Sequence, residues 1–172
     1  MRLLWWREAV ARLPEDIPAE PLLADIAKAL AETGLEGARW GAMAEGWHAL
    51  LQAPVGDAEL NRFAKERGAR LFSLSAEILG EPDRDWLDRE GEIWALADLA
   101  TRTSDKALSE KARSLARDKL ALAIKRRWPP ALRSLGALAA LARRDVGRPI
   151  ARHRQTSPLR IARMVWHRLS GW

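Results

Sequence analysis

GEIWALADLATRTSDKAL, residues 91–108, is the stretch on which the reading of this chain turns. Ile93, Trp94 and Ala97 follow Leu87 and Glu90 at helical spacing, so the segment reads as a buried helix running into a polar loop. Asp98 and Asp105 sit where a metal-dependent enzyme would hold magnesium. Three readings are open at this point: a working metal site, a site that has lost its ligands, and an ordinary core helix.

The pattern extends in both directions. Leu3, Trp6, Val10 and Leu13 predict a first helix ending near Pro14. Leu22, Leu23, Ile26 and Leu30 predict a second, with Gly34 as its C-cap. A third is predicted from about Leu35 to Gln52, with Trp40, Met43, Trp47 and Leu50 on one side. Asp57 is read as the N-cap of a fourth, whose apolar face runs through Leu60, Phe63, Ala64, Leu71, Leu74, Ile78 and Leu79 to Gly80. After residue 102, Leu108, Ala112, Leu115, Ala116, Leu122 and Ala123 mark another helix, and ALRSLGALAALARRD a small-residue one. A loop rich in Arg, Gly and Pro comes next. Thr156 or Ser157 then caps a last helix, with Pro158 at its first position. Nothing alternates with period two or repeats at a fixed period. The expected fold is an all-α bundle of seven or eight helices, residues 1–147 forming the body and 148–172 a basic loop and amphipathic helix packed on or appended to it.

Charge divides the chain in the same place. Residues 125–172 carry 12 Lys/Arg and one acid, Asp145, a net +11, while the other 124 residues carry 17 Lys/Arg and 22 acids, a net −5. Such a tail attracts phosphates, whether on lipid headgroups, nucleic acid or small diphosphates. No helix-turn-helix or RNA-binding signature accompanies it, so nucleic acid is not the expected partner. Cysteine is absent, and His48, His153 and His167 lack zinc spacing. There is no phosphate-cradling Gly-rich loop and no nucleophile elbow. No apolar run approaches the ~20 residues that cross a bilayer, and the N-terminus lacks an uninterrupted signal-type core. A cytoplasmic protein is expected, either soluble or peripheral to the inner membrane.

RLLWWREAV, IPAEPLLADIAKAL, LNRFAKERGARLFSLSAEILGE and GEIWALADLA resemble segments of the squalene/phytoene synthase family, all-α enzymes that join two isoprenyl diphosphates head to head. RWPPALRSLGALAALARRDV and SPLRIARMVWHRLSGW are similar to the C-terminal end of bacterial members without obvious catalytic motifs, the branch related to complex I assembly factors. The resemblance implies an isoprenoid-synthase-like bundle lacking its first helices, because the early aspartate-rich helix would precede Met1. It also implies a defective second metal motif. The family's Gln-x-x-Asn step falls on Ala95 and Asp98, its Arg-Asp pair on Thr101 and Arg102, and its closing Asp on Lys106. Two carboxylates thus become two cations, which repel the magnesium that would neutralise a leaving diphosphate.

The resemblance with these departures implies a non-catalytic protein that binds an isoprenoid or lipid, or a protein partner or second copy, in a groove left by the absent helices. No cofactor is expected. The alternatives are the C-terminal part of a transferase completed by another chain, which alone would need Mg²⁺, and a peripheral membrane assembly factor. Trp94, Asp98 and Arg102 are the candidate ligand-binding residues. The competing reading makes Trp94 core and Asp98 a surface acid paired with Arg102 at i+4. Trp5 and Trp6 read as core or as a lipid contact, with core favoured. Asp85, Asp88 and Glu92, interleaved with Arg84 and Arg89, read as acids at a helix start favoured by its dipole rather than as a metal cluster. Arg160, Arg163, Trp166 and Arg168 on the last helix are the candidate contacts to a membrane or anionic partner, against an ordinary packed helix with a solvated basic face.

Overall fold

The computed structural model describes residues 2–52, 54–82, 85–147 and 157–172. The chain runs through α1 (Arg2–Ala11), α2 (Pro21–Thr33), α3 (Gly37–Gly41), α4 (Ala44–Ala49), α5 (Asp57–Phe63), a π-helical stretch (Ala64–Ala69), α6 (Arg70–Ile78), α7 (Asp85–Arg102), α8 (Lys106–Ala121), a short 3₁₀ turn (Pro130–Leu132), α9 (Arg133–Val146) and α10 (Pro158–Ser170). Counting 37–49 and 57–78 each as one interrupted rod gives eight helices, and no strand occurs among the described residues. The all-α class and helix number agree with the sequence pattern. None of these helices is long and apolar enough to cross a membrane.

The centre of the bundle is α7, packed on the π stretch, α8, α9 and α6. Its Ile93, Leu96, Leu99 and Ala100 join Leu60, Phe63, Ala112, Ala116 and Val146 in one apolar cluster. Leu87 joins Phe72, Trp128, Leu132 and Leu135 in a second, and α1, α2 and Leu74 build a third. Two glycines let α7 lie so close. A Cβ on Gly68 would sit 2.2 Å from the Gly91 carbonyl oxygen, and a Cβ on Gly91 would sit 2.2 Å from that of Gly68.

Three local expectations need correction. Helix three is two pieces, α3 and α4, turning at Ala42 and Met43. Gly37 and Gly41 press against the α1 carbonyls of Val10 and Arg7, and three glycines within ten residues weaken a straight helix here. Asp57 is not the cap: Gly56 is, and its N–H donates to the Glu59 carboxylate at 2.8 Å. The face through Leu60–Leu79 is not continuous either. The π stretch inserts one extra residue per turn, which rotates everything after it. Phe72, Leu74 and Ala76 are buried, Leu71 is only half-buried, and Ile78 and Leu79 are exposed. The Gly34 and Gly80 stops stand as read, both with positive φ. Trp6 packs on the N-terminal cluster while Trp5 is exposed, so only half of that pair is core.

α10 packs on α9. Gly136 of α9 is its seat: a Cβ there would lie 2.1 Å from His167 Nε2 and 2.6 Å from the Trp128 ring. The last turn of α10 is tied down through its carbonyls. Arg133 Nη1 donates to Leu169 at 2.7 Å, Arg127 Nε to Ser170 at 3.0 Å, and Trp128 N–H to Gly171 at 2.8 Å. Ser157 is the N-cap residue and Pro158 opens the helix. The other cap candidate, Thr156, the loop over 148–156 and Arg84 lie outside the described residues.

The glycine crossing predicts an unusual penalty. Alanine normally gains ~1 kcal/mol over glycine inside a helix. Here Gly68→Ala and Gly91→Ala each drive a methyl into backbone that no rotamer change can move. Each is expected to lower unfolding free energy by about 1–3 kcal/mol or more in urea titrations. Gly147→Ala, whose nearest neighbours would be 3.7 Å away, is the control and should be nearly silent.

Candidate functional site

The π stretch carries the residue that organises the candidate site. A π turn widens the helix and turns Arg67 inward, where its guanidinium lies 4.9 Å from the ring centres of both Trp47 and Trp94. From this sandwich Arg67 Nη2 donates to Asp98 Oδ2 at 3.4 Å, and Arg102 Nε donates to Asp98 Oδ1 at 2.7 Å. Burial pulls the Arg67 guanidinium below its ordinary pKa; Asp98 opposes this and Arg102 adds to it. Its hydrogen bond to Asp98 raises the Arg102 pKa.

Trp94, Asp98 and Arg102 are therefore brought together, as the sequence places them, but around a fourth residue that sequence reading missed. Arg67 stands 31 positions away from Asp98, and only the apolar pattern broken at 64–69 hints that the helix there is irregular. The i+4 pair of Asp98 with Arg102 is present, and Trp94 is half-buried with its edge in both central clusters. Two openings flank Asp98 and Arg102. One, of about 220 Å³, lies between α7, α9 and Arg160 of α10. The other, about 480 Å³, is an apolar groove walled by Leu3, Trp47, Leu50, Leu51, Leu99 and Leu108.

The donor set does not suit magnesium. Both Asp98 oxygens are held by cations. Asp105 lies across the break between α7 and α8, where its Oδ1 accepts from the N–H groups of Ala107 and Leu108 as the N-cap of α8. Arg102 and Lys106 flank this break. Upstream, Asp88 accepts from Ser73 at 2.6 Å and Glu92 pairs with Lys119 at 2.8 Å. No three potential ligands converge among the described residues.

The other candidates lie on α10 and divide in two. Arg160 faces inward and holds Asp145 through two bonds of 2.7 and 2.6 Å. Arg163, Trp166 and Arg168 are exposed. Unlike a packed amphipathic helix, α10 turns its polar side to the protein. His167 is its buried residue within the helix, whereas Ile161, Val165 and Leu169, at i, i+4 and i+8, form a ridge 63, 53 and 70% exposed. Leu159 and Trp166, each 64% exposed, widen that ridge. Burial pushes the His167 pKa below its ordinary 6.5, opposed by the backbone of Trp172 and helped by Arg133 and Arg163.

The arrangement around Asp98 predicts an asymmetric response. Asp98→Asn leaves the enclosed Arg67 without its counter-ion and is expected to cost about 1.5–3 kcal/mol of unfolding free energy. Arg102→Ala, at the solvent edge, should leave the urea midpoint unchanged. A double-mutant cycle of Asp98→Asn with Arg67→Met should show coupling; additive losses would mean that the sandwich, not the ion pair, holds Arg67.

No family model, no curated protein and no solved structure matches this chain.

Proposed function

We propose that this chain is a non-catalytic, squalene/phytoene synthase-like protein that works at an anionic membrane surface and binds an isoprenoid or related lipid. The observation that carries the reading is the outward apolar face of α10. Five large apolar side chains, Leu159, Ile161, Val165, Trp166 and Leu169, point away from the body on a segment that also exposes Arg163 and Arg168. Each such side chain is worth about 1.5–3 kcal/mol when taken fully out of water, which a helix lying in the headgroup region provides. Charge complementarity selects the surface: residues 125–172 are strongly basic, and their one acid, Asp145, is occupied by Arg160. Anionic headgroups contribute about 1 kcal/mol per nearby Lys or Arg.

The isoprenoid class comes from the family resemblance, and the apolar groove beside Asp98 offers a wall on which a hydrocarbon chain fits. The absence of catalysis is argued from the carboxylates: Asp98 and Asp105 are committed to cations and to a helix cap. A peripheral assembly role is compatible with the same surface.

Sedimentation with phospholipid vesicles tests the reading. Binding to vesicles rich in phosphatidylglycerol is expected, with weaker binding to pure phosphatidylcholine and a decline as salt rises. Trp166→Glu with Leu169→Glu should reduce partitioning at least tenfold without unfolding the chain, because both residues face solvent. Equal pelleting with neutral and anionic vesicles defeats the anionic surface. A stable dimer in solution that the same pair of substitutions dissolves would make a second copy the occupant of this face. Incubation with magnesium and farnesyl diphosphate should yield no head-to-head product.

A further inference from the structure

A third opening, larger than the two beside Asp98, lies apart from them and from the outer face of α10. It is an open cleft of about 680 Å³ bordered by the end of α8, the segment after it, α9 and the inner side of α10. Lys125, Arg126, Arg143, Arg144 and Arg163 line it. The one acidic side chain among its lining residues is Glu90, and Arg143 already binds that, its Nε donating at 3.0 Å. Arg143 is paired with Glu90 and Arg144 has interactions of its own, which leaves Lys125, Arg126 and Arg163 as the positive charge that attracts an anion here.

A further feature points to a ligand. Arg126 is stacked 4.9 Å over Trp86, which fixes its plane, yet its buried Nε lacks a partner. A buried donor without an acceptor is costly, so it marks a wall where an acceptor oxygen belongs. His167, 2% exposed, completes that wall, its Nε2 packed on Gly136. Phosphate supplies several such oxygens with two charges, and guanidinium groups match it with paired donors. The remaining wall is apolar, with Leu120, Ile124, Trp128 and Trp172 among its residues. At 680 Å³ the cavity exceeds what a bare phosphate fills and falls in the range of ordinary small-molecule sites.

We infer that this cavity binds the phosphate group of an amphiphile, the cations receiving the headgroup and the apolar wall the start of its chain. The site is separate from the outer face of α10 and does not require that face to touch a membrane. The same headgroup chemistry could reach it from a bilayer lipid or from a free phosphorylated compound, and a choice of probes with and without a chain separates the two.

Isothermal titration calorimetry at low salt, with dodecyl phosphate below its micelle concentration, inorganic pyrophosphate and dodecyl maltoside, is the test. Dodecyl phosphate is expected to bind saturably and at least tenfold tighter than pyrophosphate, and the maltoside not at all. Lys125→Gln with Arg163→Gln, two exposed cations that hold no ion pair among the described residues, should weaken dodecyl phosphate at least tenfold. Circular dichroism should show that this variant keeps its helices. Trp166→Glu with Leu169→Glu, expected to weaken the membrane contact, should leave dodecyl phosphate binding intact, so failure of the membrane reading and failure of this one are distinguishable. No saturable binding of either phosphate compound, or binding untouched by Lys125→Gln with Arg163→Gln, overturns the site. Pyrophosphate binding as tightly as dodecyl phosphate overturns the amphiphile and identifies a free phosphorylated ligand.

Discussion

The backbone contact between Gly68 and Gly91 is the constraint on which the rest of this bundle depends. Where two helices meet through side chains, their axes lie about 8–10 Å apart; here two main chains touch, because neither residue carries a Cβ. The approach sets α7 deep among its neighbours, so one helix supplies walls to both central clusters. It also coincides with the π turn. An α-helical register through 64–69 would present its side chains differently to α7, and Arg67 would not reach the gap between Trp47 and Trp94. Crossing and site are thus one feature seen at two scales: removal of two side chains at the contact makes room for a cation one residue away.

A guanidinium between two indoles is held by its faces, and its donors are left for the edges. Asp98 takes that edge. Its second oxygen then accepts from Arg102, so the carboxylate is shared between an enclosed cation and an exposed one. This explains why a residue whose position suggests a metal ligand behaves as the keystone of an ion-pair network. Asp105 illustrates a different outcome of the same kind of guess: an aspartate just ahead of a helix finds two backbone N–H groups waiting for it.

How much of the structure is legible in the sequence depends on how local the cause is. Gly34, Gly80 and Pro158 mark helix ends through their own backbone preferences, and the structure keeps all three. Leu87, Glu90, Ile93 and Ala97 share a buried line because α7 is regular, and even the carboxylate on that line belongs there, its partner Arg143 lying 53 residues on. Periodicity fails at 64–69, where one extra residue per turn shifts the face, and at 42–43, where contact with α1 decides the path. The pairing of Asp98 with Arg102 is readable at i+4, whereas Arg67 is not, since it comes from another helix. For α10 the amphipathic pattern is plain but its orientation is not. Nothing in a helical wheel says which side meets the protein, and here the glycine at 136 and the carbonyl bonds at the last turn settle it.

Those carbonyl bonds carry a consequence for how the molecule can vary. Arg127 and Arg133 grip α10 by main-chain oxygens of Ser170 and Leu169 that any amino acid supplies, while the oxygen taken by Trp128 belongs to Gly171, whose positive φ asks for glycine. Among the described residues, His167 and Arg160 are the side chains of α10 that the body holds. Drift in the remaining positions would leave the segment docked, so folding exerts almost no hold on their identity. The row of oily residues along that face is therefore not set by the docking of α10.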